Sequence, residues 1–140
     1  FIGKQFIDVS GTTPQGKSIA LSDYVKKNKV VLIDFWASWC GPCIKEMPNV
    51  VAAYKEFKSK GFEIVGISLD EEKAAWTKSL TDMNMTWPQM SDLKGWESAL
   101  SAPYQVSSIP FTLLVDQNGN IIAENLRGQA LHDTLRELLN

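Results

Sequence analysis

Val31-Leu32-Ile33-Asp34-Phe35-Trp36-Ala37-Ser38-Trp39-Cys40-Gly41-Pro42-Cys43 reads as a buried strand running into the first turn of a helix. From Lys29 to Trp36 the residues after the lysine are β-branched, aliphatic or aromatic except Asp34, the near-continuous apolar pattern of a central strand covered on both faces. Beyond the cysteines, Ile44, Met47, Val51, Tyr54 and Lys58 recur at helical spacing, and Val50 and Phe57 widen the apolar stripe. Gly61 supplies the stop. Pro48 lies inside this helix and is expected to kink it.

Phe62 to Leu69 reads as the next buried strand, so residues 29–69 make a strand–helix–strand unit of the parallel crossover kind. Asp70 is expected to cap a helix carrying Trp76, Leu80 and Met83 on one face. Thr86-Trp87-Pro88 reads as a short extended piece and Trp96 to Ala102 as a short helix. Phe111–Asp116 and Asn120–Leu126 flank Asn118-Gly119, a strong hairpin signal. The last helix starts near Gln129, with Leu131, Leu135, Leu138 and Leu139 toward the core. At the other end, Gln5 to Ser10 is expected to be a strand, residues 11–16 a turn, and Ser18 to Leu21 a second extended piece. Ser22 would cap one helical turn through Val25. The sum is α/β: one domain over residues 1–140 with a mixed central sheet and helices on both faces.

The chain has 140 residues, near one domain's worth at about 150 per domain. Hydrophobic residues make up 44% and charged ones 21%, which excludes a disordered chain. Lys plus Arg number 14 and Asp plus Glu 16, a net charge of −2. That excludes a strongly basic nucleic-acid binder and a polybasic membrane module. No apolar run approaches the roughly 20 residues of a membrane span. The chain starts at Phe1 without an initiator Met and without a charged-then-apolar leader, so it is expected to be a mature fragment.

The only two cysteines lie three positions apart, at the start of a helix. A thiolate, not a thiol, attacks a disulfide, and a helix N-terminus offers free N–H groups and partial positive charge to an anion. Cys40 stands at that end and is the expected nucleophile. Cys43, one turn on and more buried, can reach a mixed disulfide on Cys40 and resolve it. Gly41-Pro42 fits a tight entry into the helix. Three plainer readings compete. A structural staple gains only about 2 kcal/mol from so short a loop. Half a zinc site needs two more ligands, and the chain offers one histidine, His132, on the remote last helix. Two ordinary core cysteines are the third. A redox pair beside a strand–helix–strand unit is preferred.

Asp34 interrupts an apolar strand six residues before Cys40. A buried carboxyl holds its proton more tightly, which suits a group that exchanges a proton with Cys43. Glu46 lies three residues beyond Cys43, on the same helix face. Each has a plainer reading: a hydrogen-bonded Asp at a strand end, and a surface Glu suited to a first helical turn.

On these residues the chain resembles the thioredoxin superfamily. The segment from Val31 to Cys43 is similar to its active-site segment almost residue for residue, and Ser108-Ile109-Pro110 resembles its cis-proline loop. The lead-in from Gly16-Lys17-Ser18 to Val31 and an inserted strand–helix region around 71–100 resemble the TlpA/ResA-like branch of extracytoplasmic thiol–disulfide oxidoreductases. The resemblance implies a thioredoxin-like fold with an N-terminal β extension, and reduction of protein disulfides through Cys40 and Cys43. It implies a cis Pro110 facing the cysteines, an Ile109 backbone that pairs with a substrate strand, and a Gly128 that lets that strand approach. Trp39 would form an apolar platform beside Cys40, with Gly41 and Pro42 completing the contact surface. Glu46 matches an active-site glutamate of the ResA-like branch. Three positions depart from thioredoxin: Gly66 where a buried Lys often partners the Asp, Phe111 where Thr is usual, and Arg127 where an apolar residue is usual.

The Gly-Pro dipeptide matches thioredoxin and favours a reductant. No metal or organic cofactor is implied. The expected partners are disulfide-containing proteins and an upstream thiol reductant, with no nucleic acid and no membrane span in this chain, and the chain is expected to be a monomer. The branch resemblance ranks the periplasm or cell envelope above the cytoplasm, with this chain as the C-terminal domain of a longer protein anchored to the membrane through sequence upstream of Phe1. Two alternatives stand: a thiol peroxidase of the peroxiredoxin-related group, and a thioredoxin-fold binding module without turnover.

Overall fold

A computed structural model describes all 140 residues, Phe1–Asn140. The elements in chain order are β1 (Ser10–Thr12), β2 (Ser18–Ala20), β3 (Val30–Trp36), α1 (Gly41–Phe57), β4 (Phe62–Ser68), α2 (Lys73–Asp82), β5 (Gln89–Ser91), β6 (Phe111–Asp116), β7 (Ile121–Glu124) and α3 (Gln129–Leu139). They form one seven-stranded sheet in the order β2-β1-β5-β4-β3-β6-β7. β3 and β4 run parallel, as do β4 and β5, while β6 and β7 pair antiparallel. Every residue of β3 is buried, Asp34 included, as expected of a near-continuous apolar run covered on both faces.

Two apolar clusters sandwich the sheet. One joins Leu32 and Trp36 of β3 to Met47, Val50 and Phe57 of α1, Trp76 of α2, and Leu131 and Leu135 of α3. The other joins Ile33, Phe35 and Val65 to Val9, Leu21, Val25, Leu100 and Tyr104, and no α-helix contributes to it. The expectation of helices on both faces is therefore refined. The three α-helices share one face, and the second is covered by the N-terminal segment and by short 3₁₀ turns.

Several local expectations shift. The first ladder forms at Ser10–Thr12, not at 5–10; Gln5 makes a lone bridge to Asn120. Gly11 enters the sheet because its missing side chain lets Leu100 and Met90 close over it. The turn at Leu21–Asp23 is capped by the Asp23 carboxylate, which accepts from the Ala20 N–H at 2.8 Å, not by Ser22. The extended piece near Pro88 becomes a ladder only from Gln89 onward, since Pro88 has no N–H to donate. Residues 96–102 form no single helix: Gly95–Glu97 and Ala102–Tyr104 are separate 3₁₀ turns, with Ser98 extended between them. Leu138 points to solvent. α1 continues through Pro48, and Gly61, at φ 105°, turns the chain into β4.

Asp70 does not cap α2, whose N-cap is Glu72. Its buried carboxylate instead accepts from the Ser38 N–H at 3.1 Å, from the Ser38 hydroxyl, and from the Ser68 hydroxyl at 2.6 Å. Asp70 thus ties the loop that leads into Cys40 to the end of β4.

Candidate active site

Cys40 is the N-cap of α1, with extended backbone at φ −90° and ψ 102°, and Pro42 occupies the first turn. The Cys40 Sγ accepts a hydrogen bond from the Cys43 N–H at 3.2 Å. The two cysteines are joined as a disulfide, their Cα atoms 5.2 Å apart. One helical turn brings the second sulfur beneath the first. Gly41 and Pro42 lie exposed beside the pair.

Under the disulfide lies an enclosed cavity of about 20 Å³, bordered by Asp34, Cys43, Glu46, Pro110, Thr112 and Arg127 among others. Its size admits about one water. Asp34 is 3% exposed. Burial chiefly, and then the Glu46 charge, push its pKa up to about 7, while Arg127 pulls the other way. Across the sheet Asp34 is level with Gly66 on β4 and Thr112 on β6, and Gly66 is level with Gln89 on β5. Gly66 carries no side chain because the Gln89 amide lies directly over it. Gln89 Oε1 accepts from the Trp36 Nε1–H at 3.1 Å, while Gln89 Nε2 and the Thr112 hydroxyl are buried without a partner. The place a buried cation would take is thus filled by a neutral amide.

Glu46 is not a free surface residue. Its Oε2 accepts from the Gly128 N–H at 2.8 Å and from Asn49 Nδ2 at 3.0 Å. Gly128 has φ 54° and ψ −136°, a conformation that favours glycine, although a Cβ there would meet nothing within 4 Å. Arg127 Nη2 donates to the Pro110 carbonyl at 2.7 Å, so this departure from thioredoxin fastens the α3 lead-in to the proline loop. The Ile109–Pro110 peptide is cis. The Ile109 N–H and C=O have no backbone partner in the chain.

The structure therefore gathers Asp34, Cys40, Cys43, Glu46, Pro110 and Gly128 into one site. Trp39 stands at its rim, 53% exposed. Beside it is Trp96, read from the sequence only as the start of a short helix: it is 52% exposed, and its ring tilts against Trp39 at 6.0 Å between centroids. Asn49, Thr112 and Gln89 were also not singled out, since nothing in their local sequence separates them from ordinary polar residues. His132 sits on α3 as expected but packs against α1, with Nε2 at 2.9 Å from Asn49 Oδ1. No three His, Cys, Asp or Glu side chains cluster as metal ligands, and no helix is long and apolar enough to cross a membrane. A surface groove of about 780 Å³ lies at the sheet edge by the β1–β2 turn and the end of α2, and borders neither cysteine.

Residues 2–124 match the AhpC/TSA family. The chain is 35% identical over 138 residues to the thiol–disulfide oxidoreductase ResA of Bacillus thuringiensis subsp. konkukian, covering 99% of this chain and 76% of that protein. It is 36% identical over 129 residues to ResA of Bacillus subtilis, covering 87% and 69%. Among solved structures, the thioredoxin domain of a thiol–disulfide oxidoreductase from Bacteroides vulgatus superposes with a TM-score of 0.90 at 34% identity, over 100% of this chain and 99% of that one. A thiol–disulfide oxidoreductase from Bacteroides fragilis gives 0.89 at 31%, over 97% and 100%. With a thioredoxin-like sheet, a disulfide at the N-terminus of α1 and these relatives, the chain belongs to the AhpC/TSA family and is a thiol–disulfide oxidoreductase.

Proposed function

We propose that the protein reduces disulfides in client proteins, with Cys40 as nucleophile and Cys43 as resolving thiol. The carrying observation is the Cys40 sulfur at the N-cap of α1, accepting the Cys43 N–H. The same donor and the helix N-terminus stabilise a thiolate there. In the forward reaction the Cys40 thiolate attacks one sulfur of the client disulfide and expels the other as a thiolate. Asp34, ionised, takes the proton of Cys43. The Cys43 thiolate then attacks Cys40, releases the second client thiol and leaves the Cys40–Cys43 disulfide. An upstream dithiol returns the two electrons.

Asp34 suits this step because its pKa of about 7 lets it both accept and return a proton near neutrality. The cavity between it and Cys43 has room for one bridging water. Glu46 acts by its charge on Asp34. The unpaired Ile109 backbone would receive an extended client segment by strand addition. Trp39, Gly41, Pro42, Pro110 and Gly128 would border that segment. No organic cofactor or metal enters the cycle. The chain would act as a monomer, outside the cytoplasm, as one domain that can stand within a longer protein; the Bacteroides vulgatus match is itself the thioredoxin domain of its protein.

The test is trapping. Cys43→Ser should accumulate a mixed disulfide between Cys40 and a client, and Cys40→Ser should accumulate none. Trapping through Cys43 instead would reverse the roles. Titration in thiol redox buffers tests direction: a potential near about −250 mV or below supports a reductant, and one near about −120 mV makes the protein a disulfide donor.

A further inference from the structure

Glu46 is held by a second tier of side chains. Asn49 Nδ2 donates to Glu46 Oε2 at 3.0 Å and to the Gly128 carbonyl at 3.1 Å. Both partners only accept, which decides which end of the amide is nitrogen and turns Oδ1 toward His132. His132 Nε2, at 2.9 Å from that oxygen, therefore carries a proton and donates. The other ring nitrogen, Nδ1, faces Glu56 Oε1 at 3.6 Å, while Arg136 holds the other oxygen of Glu56 at 3.6 Å. The His132 side chain is only 14% exposed. Asn49 thus has its amide nitrogen and its oxygen committed, and it donates to the Gly128 carbonyl while Glu46 accepts from the Gly128 N–H.

We propose that Asn49, locked in place by His132, is a positioning residue of the redox site: it holds the Glu46 carboxylate against the Gly128 amide and so sets the negative charge felt by Asp34. This rests on the reading of Asp34 and Glu46 given above. Glu46 is only half-buried, so without Asn49 its carboxylate can turn into solvent. The charged groups at the cavity are Asp34 from β3, Glu46 from α1, and Arg127 from the lead-in to α3, with Cys43 the remaining titratable group once reduced. Those facing His132 are Glu56 from α1 and, through it, Arg136 from α3. Moving Glu46 away removes a repulsion on the ionised Asp34, so Asp34 should release its proton at lower pH.

The experiment is a carbon-13 NMR titration of the Asp34 carboxyl in the oxidised protein, which needs no turnover. In Asn49→Ala and His132→Phe the Asp34 midpoint should fall by about half a unit, as a partly screened charge moves away. Glu46→Gln should shift it the same way. His132→Gln, which keeps an N–H donor at the Nε2 position, should restore the wild-type midpoint. In the Glu46→Gln background, Asn49→Ala should add nothing. An Asp34 midpoint unchanged in both Asn49→Ala and His132→Phe overturns the proposal. So does an Asn49→Ala shift that persists without the Glu46 charge. A Glu46→Gln protein with an unmoved midpoint defeats the reading of Glu46 and the proposal with it. The reductant reading is judged separately by client trapping.

Discussion

Replacing Asp34 by Asn should stabilise the oxidised protein at alkaline pH and do little near pH 4. Burial first, and the Glu46 charge second, raise the Asp34 pKa from 3.8 to about 7. Between these values the unfolded chain has released a proton that the native state still holds. The native state then binds more protons, so stability falls as pH rises through this window. Below it both states are protonated and the penalty vanishes; above it both are ionised and the penalty is constant. One pKa unit is worth about 1.4 kcal/mol, so a gap of roughly three units bounds the penalty at about 4 kcal/mol. At about 2–4 °C per kcal/mol for a chain near this size, the relief corresponds to roughly 10 °C in Tm. Asn has the same shape and cannot ionise. The assay is urea unfolding of both oxidised proteins, followed by tryptophan fluorescence, from about pH 4 to about pH 8.5. The difference between the two should be small at the acid end, grow across the window and then level off. A difference that stays flat with pH refutes the reasoning, because Asp34 would then titrate alike in both states. In turnover, the same substitution should slow resolution of the mixed disulfide by about 10²-fold, the lower range for a positioned base.

Three further outcomes follow from other contacts. Gly66→Ala should cost about 1–3 kcal/mol in urea unfolding, because its Cβ overlaps the Gln89 amide that also receives the Trp36 N–H. An unchanged midpoint would mean that Gln89 swings aside freely. Asp70→Ala should cost about 3 kcal/mol, since the Ser38 and Ser68 donors lose a buried carboxylate, and it should speed alkylation of reduced Cys40 by loosening the loop before it. Trp96→Ala should leave stability within about 0.5 kcal/mol, as an exposed site. It should lower kcat/KM for protein disulfides about fivefold, the worth of one aromatic contact, while a small-molecule disulfide is reduced at the wild-type rate.

The central strand–helix–strand unit, the C-terminal hairpin and the place of the cysteine pair are legible in the chain alone. These rest on local signals strong enough to need no partner: a β-branched run at Val30–Ile33, an apolar stripe at helical spacing from Ile44, an Asn118-Gly119 turn, and an N-cap cysteine followed by Gly-Pro. Boundaries failed where a local preference met a stronger tertiary demand. Asp70 has the side chain of a helix cap, yet its carboxylate is drawn to Ser38 and Ser68 across the sheet end. Gly11 looked like a turn residue, yet its lack of a Cβ is used inside the sheet.

The proton chemistry of the site was legible only in part. Asp34 stood out because a carboxyl in an apolar strand is anomalous in one dimension. Which groups meet around it depends on packing, even where one of them, Glu46, could be picked out by its place on the Cys43 face of α1. Glu46, Arg127, Thr112 and the Gln89 amide come from a helix, a loop and two other strands, separated by tens of residues in the chain. Polar side chains of this kind carry no periodicity, and their roles depend on directed contacts a few ångströms long. Asn49 and His132 meet only because α1 and α3 pack side by side on one face of the sheet. Hydrophobic pattern, repeated over many residues, specifies which elements form. A hydrogen bond between two residues far apart in sequence leaves no such pattern, and it exists only once packing has brought them within reach.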